Sequence, residues 1–147
     1  DFKQGTRDNP VMKPMAAALN DAEIAAVARY YASLPLPKTP AEQPGPAALR
    51  ARGEALARDG LWPKDLPACF QCHGPAGKGV PPNFPAIAGQ PSGYIAEQLD
   101  AWRAGRRKND PVGLMKAVAE RLSADDIKAV SVFLASFSAT PHAGDKP

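Results

Sequence analysis

Residues 68–79 read ACFQCHGPAGKG and contain both cysteines of the 147-residue chain, Cys69 and Cys72, with His73 directly after the second. The only other histidine is His142, close to the C-terminal end. A chain that uses cysteine nowhere else and sets two thiols and an imidazole within five positions uses them for chemistry rather than for packing. The sequence on either side of this stretch decides which chemistry.

Outward from the motif, the composition describes short helices joined by loops. There are 17 prolines, and aromatic residues make up 7% of the chain, with few runs of Val, Ile and Thr, so strands are not expected. Hydrophobic residues account for 44% and charged residues for 22%. No stretch approaches the ~18–20 apolar residues of a membrane span, so no transmembrane segment is expected. The net charge of +3, from 18 basic and 15 acidic side chains, is not arranged as a cationic stripe, which argues against a nucleic-acid partner. The chain opens DFKQGTRDNP without an initial Met and is read as a mature, processed or truncated product.

The chain repeats part of itself. Residues 12–34, MKPMAAALNDAEIAAVARYYASL, lie on residues 115–137, MKAVAERLSADDIKAVSVFLASF, so that Met12 meets Met115, Leu19 meets Leu122, Ile24 meets Ile127, Val27 meets Val130 and Tyr30 meets Phe133. With a three-residue length difference the match extends backwards, FKQGTR (2–7) lying on WRAGRR (102–107). Between the copies, PLPKTPAEQPGP (35–46) has five prolines in twelve residues and reads as a linker. The expected organisation is residues 1–34 as the C-terminal part of one domain, 35–46 as the linker, 47–138 as a complete domain and 139–147 as a tail. Asn20 with Glu23, and Ser123 with Asp126, mark the start of the final helix in each copy. Further helices are expected over 47–59, over 92–104 and around Met115.

Four chemistries compete for Cys69, Cys72 and His73. Zinc needs four ligands, and His142 in a polar tail is a poor fourth. A redox dithiol belongs in a βαβ context that this chain lacks, and a disulfide across two residues closes too small a loop to stabilise much. Covalent haem attachment uses all three residues, since CxxCH is its recognised arrangement: two thioethers to one haem, with the histidine delivered to the iron.

The chain resembles a class I cytochrome c, most closely the dihaem cytochrome c4 family. The resemblance is carried by PACFQCHGPAGKG (67–79), by FPAIAGQPSGYIAEQLDAWRAGRR (84–107), and by Met115 placed seven residues before LSADDI (122–127). It implies an all-α fold of short helices around one covalently bound haem c, preceded by a partial domain of the same kind. It further implies Cys69 and Cys72 as thioether anchors, His73 as proximal ligand and Met115 as distal ligand. Pro85 would supply the carbonyl that accepts the imidazole Nδ1 hydrogen. Gly53 falls where the family's first helix crosses its last, near Phe133. The family usually has an aromatic four residues later, where this chain has Ala57, so either the contact is looser or Trp62 compensates. Tyr94 and Trp102 are read as lining the haem or reaching a propionate, with plain core as the other reading. The cations Arg103, Arg106, Arg107 and Lys108 are read as a solvated face, or as pairing with propionates or a docking partner. His142 is read as idle.

The function that follows from the resemblance is single-electron transfer in the periplasm, with redox partner proteins such as a respiratory complex, an oxidase or a dehydrogenase, and no enzymatic turnover. The second reading is a cytochrome subunit or domain within a periplasmic dehydrogenase or oxidase. A third, a catalytic or gas-sensing haem, requires Met115 to be absent from the iron.

Overall fold

A computed structural model describes residues 1–35 and 41–137. Residues 36–40 of the linker, Ser138 and the tail with His142 lie outside the described residues. Seven α-helices are present among those described: α1 (Met12–Ala17), α2 (Asp21–Ser33), α3 (Ala47–Arg58), α4 (Cys69–His73), α5 (Ser92–Arg103), α6 (Leu114–Arg121) and α7 (Ala124–Ala135). Single 3₁₀ turns occupy Trp62–Lys64 and Pro75–Gly77. Extended pairing among the described residues is confined to isolated bridges. The expected helices are present, with ends within a residue or two of those read from the caps.

α2 and α7 begin identically. In each a complete capping box forms, Asn20 with Glu23 and Ser123 with Asp126, each side chain accepting the other's backbone N–H. Their surroundings then diverge. On α7, Ile127, Val130, Phe133 and Leu134 are buried, whereas the equivalent face of α2 is open, with Val27, Tyr30, Tyr31 and Leu34 all exposed.

The core forms where α3 packs across α7. Gly53 is the point of closest approach: a Cβ built there would fall 2.1 Å from the carbonyl oxygen of Ala129 and 2.7 Å from Cβ of Phe133. Only a residue without a side chain permits this crossing. Leu56 and Ala57 follow on the same face of α3, fully buried against α7 and its neighbours. Phe70 provides the ring that meets Phe133, with centroids 6.3 Å apart, and Phe137 stands edge-on to both. Trp62 does not compensate for Ala57, since it is 63% exposed on the 3₁₀ turn. α5 and α6 close the remaining sides of the core with Ile95, Leu99, Trp102 and Ala119. Full burial of side chains of this size is worth about 1.5–3 kcal/mol each.

The crossing carries one buried ionic lock. Asp126 is 3% exposed and accepts two hydrogen bonds from Arg52 of α3, at 2.9 and 2.7 Å, while also completing the cap of α7, with Lys64 at 3.8 Å. Burial alone would raise its pKa, but the hydrogen bonds from Arg52 and Ser123 outweigh that and hold it below 3.8. The second half of the linker is docked as well: Glu42 donates its N–H to Ala135 O, and its carboxylate accepts the N–H of Ser92 at the start of α5.

Because the folded-state pKa of Asp126 is depressed, its contribution to stability is fully present above the unfolded-state value and is lost as pH falls through the folded-state value. Asp126→Ala is expected to lower unfolding free energy at pH 7 by about 1–3 kcal/mol, through loss of its hydrogen bonds with the half-exposed Arg52 and with the Ser123 N–H, while the Ser123 side chain still caps α7. Denaturant titrations at pH 7 and pH 3 check it; the difference between variant and parent shrinks at the lower pH.

Candidate functional site

The CxxCH stretch folds as α4, a little over one helical turn, between Ala68 in an extended conformation and Gly74. Cys69 and Cys72 stand one turn apart on it, and each is half-buried with a free thiol. α4 packs against α3, where Cys69 Sγ approaches Leu56 O at 3.9 Å. Burial pushes the Cys69 thiol up to about 11, so that it is protonated at neutral pH. No three His, Cys, Asp or Glu side chains converge into a metal cage among the described residues.

His73 is 6% exposed. Its Nδ1 lies 2.7 Å from the carbonyl oxygen of Pro85. A carbonyl can only accept, so Nδ1 carries the hydrogen, and in the neutral ring the lone pair is on Nε2. Burial holds the imidazole below its ordinary 6.5, against the opposing pull of the Pro85 carbonyl, and so favours this neutral form.

The glycine-rich loop after α4 places that carbonyl. Gly79 donates its N–H to His73 O at 2.7 Å, Val80 and Phe84 exchange both backbone hydrogen bonds, and Ile87 and Ala88 both donate to Gly77 O. Gly79 has φ +87°, and a Cβ on it would stand 2.7 Å from Ala86 N and 3.0 Å from Phe84 O. The loop is therefore folded back on itself, with Pro85 held over the imidazole and Phe84 edge-on to it at 6.1 Å.

Met115 lies in the first turn of α6, half-buried, its N–H donated to Asp110 Oδ2 at 2.6 Å. It packs against the same core cluster as Cys69, a cluster that includes Leu56, Leu99, Trp102 and Phe133. Two thiols one turn apart, an imidazole with Nε2 available and a thioether on the same core are the donor set that a covalently held, His/Met-ligated haem requires, and the residues present fit it.

The two aromatic candidates separate. Trp102 is 4% exposed within that cluster, while Tyr94 is 41% exposed and its hydroxyl accepts a hydrogen bond from Arg7. The four cations also separate. Arg103 pairs with Asp100, and Arg106 and Lys108 are exposed, but Arg107 is not part of a solvated face: its guanidinium stacks on Trp102 at 4.5 Å and bonds Gln98. Arg7, Gln98 and Asn109 were not singled out in the sequence. The signal that could have found them was the repeat itself, which lays Arg7 on Arg107.

Against known proteins, a sequence model of the cytochrome c family matches residues 51–138. The chain is 46% identical over 136 residues to a thiosulfate dehydrogenase electron acceptor of Stutzerimonas stutzeri (strain A1501), covering 92% of this chain and 62% of that protein. It is 43% identical over 141 residues to a cytochrome c4 of Thiocapsa roseopersicina, covering 94% of this chain and 70% of that one. Among solved structures, thiosulfate dehydrogenase of Marichromatium purpuratum superposes with a TM-score of 0.83 at 47% identity, over 92% of this chain and 29% of that chain. The chain thus spans less than two thirds of the length of the first and third of these proteins.

Gly79→Ala is expected to cost about 1–3 kcal/mol, through its φ and the push on the Ala86 amide. It should also make the His73 Nδ1 hydrogen exchange faster in NMR spectra. Gly93→Ala, in α5 with open space at its Cβ position, serves as the control and leaves that hydrogen unchanged.

Proposed function

The chain belongs to the cytochrome c family, related to the dihaem cytochromes c4, and on that premise we propose that it carries single electrons in the periplasm through one covalently bound haem c. The observation that carries the reading is the His73 geometry, a buried imidazole whose Nδ1 hydrogen is fixed by Pro85 O at 2.7 Å, next to two free thiols one turn apart. When bound, the haem supplies an iron that changes between two oxidation states by one electron. The protein's part is positional. Cys69 and Cys72, both free thiols, would hold the group through two thioethers. Pro85 orients the His73 ring and raises its basicity as a ligand. Met115 would supply a thioether sulfur, a donor that favours the reduced state. With His73 and Met115 both serving as ligands, the residues present would leave no place for a small substrate, and Trp102, Leu99 and Phe133 are buried in the core cluster that Met115 packs against.

Residues 47–138 are proposed as the complete cytochrome c domain and residues 1–34 as the C-terminal part of another. Their matching caps and the open apolar face of α2 support this. Covalent haem attachment follows export, which supports the periplasm, and no described helix is long and apolar enough to cross a membrane. The partner is proposed as a redox enzyme. The likeness to an electron acceptor of thiosulfate dehydrogenase, and to part of a thiosulfate dehydrogenase chain, favours a second reading in which the electrons come from thiosulfate within such a complex. Rapid-mixing reduction by a thiosulfate dehydrogenase, compared with reduction by other donors, separates a dedicated acceptor from a general carrier.

The intact protein, denatured in acid and organic solvent, is expected to weigh one haem more than its 15.5 kDa chain and to titrate no free thiol. Haem that extracts freely would sink the reading.

Met115→Ala is expected to lose the sulfur-to-iron charge-transfer band, lower the reduction potential and admit carbon monoxide. Met12→Ala is expected to retain all three parental properties. The reverse outcome assigns the distal ligand to Met12.

A further inference from the structure

Each copy of the repeat carries a methionine at the start of a helix, and each holds that methionine by its backbone. In the N-terminal copy, Asn9 Oδ1 accepts the N–H groups of Val11 and Met12 at 3.0 and 2.9 Å. In the complete copy, Asp110 Oδ2 accepts the N–H groups of Met115 and Lys116 at 2.6 and 3.3 Å. The two acceptors correspond in sequence. Asn9, Pro10 and Val11 lie on Asp110, Pro111 and Val112, after which the complete copy inserts Gly113 and Leu114 before its methionine. The same contact is therefore made in both copies by loops of different length, with a carboxamide in one and a carboxylate in the other.

Little else fixes the chain as it enters α6. Val112 and Leu114 are 76% and 53% exposed, and Pro111 is exposed as well. Gly113, directly before the helix, has φ +72°, provides no side-chain cap and has open space where a Cβ would stand. α6 has only eight residues, too few to hold its first turn by helical stability alone. The N–H groups of that turn have no partner within the helix, and Asp110 accepts two of them. Asp110 is half-buried, and its charge is felt at Arg107: burial lowers the Arg107 pKa and Arg7 adds to this, whereas Tyr94 and Asp110 raise it. Arg107 in turn stacks on the buried Trp102 at 4.5 Å. Core ring, guanidinium, carboxylate and Met115 amide thus follow one another in series.

We propose that Asp110 is the positioning residue for Met115, setting the place of the thioether by holding the backbone from which that side chain extends, as Asn9 holds Met12. This rests on Met115 as the distal ligand, the reading given above. Asp110 acts through the amide and touches neither the sulfur nor the iron. A ligand displaced by about 0.5 Å from its productive place binds less well, so the clamp decides how firmly the thioether holds. Hydrogen bonds to an ionised acceptor are roughly twice as strong as neutral ones, which gives the complete copy the firmer clamp of the two.

The test uses the full holoprotein, with imidazole as the probe that competes with Met115 for the oxidised iron. Asp110→Ala and Asp110→Asn are compared with Ser123→Ala, which removes the side-chain cap of α7, a helix that carries no proposed ligand. Asp110→Ala is expected to bind imidazole about tenfold more tightly than the parent, the effect of losing one charge-assisted hydrogen bond. It also weakens the sulfur-to-iron charge-transfer band and speeds amide exchange at Met115 and Lys116. Asp110→Asn, which supplies the acceptor found in the other copy, recovers most of the parental behaviour. Ser123→Ala lowers the unfolding midpoint and leaves imidazole affinity and the charge-transfer band at their parental values. The proposal is overturned if Asp110→Ala matches the parent, if Asp110→Asn performs no better than Asp110→Ala, or if Ser123→Ala raises imidazole affinity as much. Where circular dichroism shows Asp110→Ala to be unfolded, Asp110→Glu takes its place with the same expected direction, since it sets the acceptor one methylene further out; parental imidazole affinity in that variant overturns the proposal. The distal-ligand reading fails separately, by a charge-transfer band unchanged in Met115→Ala, while amide exchange at Met115 still reads the hydrogen bond.

Discussion

The crossing of α3 and α7 at Gly53 is the constraint from which the other positions follow. A carbonyl oxygen occupies the space a Cβ would need, 2.1 Å away, so the two helices meet backbone to backbone. That contact places Leu56 and Ala57 against α7, lets Arg52 reach the buried Asp126, and presents the C-terminal half of α3 to α4. Helices in close contact over a small residue are rigid for a geometric reason: neither can rotate or slide without one backbone entering the other. A site that must hold an imidazole and a thioether in fixed positions benefits from such a base.

On this base the site is built from short pieces, each held by backbone hydrogen bonds and not by its own helical stability. α4 is too short to persist alone, as isolated helices of this length are unstable in water. It is fixed at one end by packing on α3 and at the other by the loop whose carbonyl at Pro85 captures His73. The ring is thereby given one tautomer and one orientation before any ligand is bound. α6 is similarly anchored, by Asp110 accepting the Met115 and Lys116 amides at its start.

The N-terminal repeat contrasts with the complete copy. α2 has the same capping box and the same apolar spacing as α7, yet buries none of its residues. The difference lies in what covers each helix and not in the helix itself, since α7 has α3 and α5 across it. Among the described residues the repeat is attached to the rest through the strand-like contact at Arg7 and Arg107, where both guanidinium groups share the Gln98 side-chain oxygen.

Local signals were sufficient for much of this protein. The CxxCH spacing, the two capping boxes, the apolar period of α5 and α7 and the proline-rich break are all short-range patterns, and short-range sterics and hydrogen bonding fix what they specify. Likeness to a family extended the reading to Pro85, Met115 and Gly53. The remainder depended on residues far apart in sequence. That Phe70 rather than Trp62 meets Phe133, that Tyr94 faces Arg7 while Trp102 is buried, that Glu42 caps α5 from the linker, and that Arg107 stacks inward while Arg106 and Lys108 face water follow from which surfaces come together when the helices cross. Such contacts carry no signature at either residue alone, because a long side chain has several rotamers of similar energy and only the packed surroundings select one.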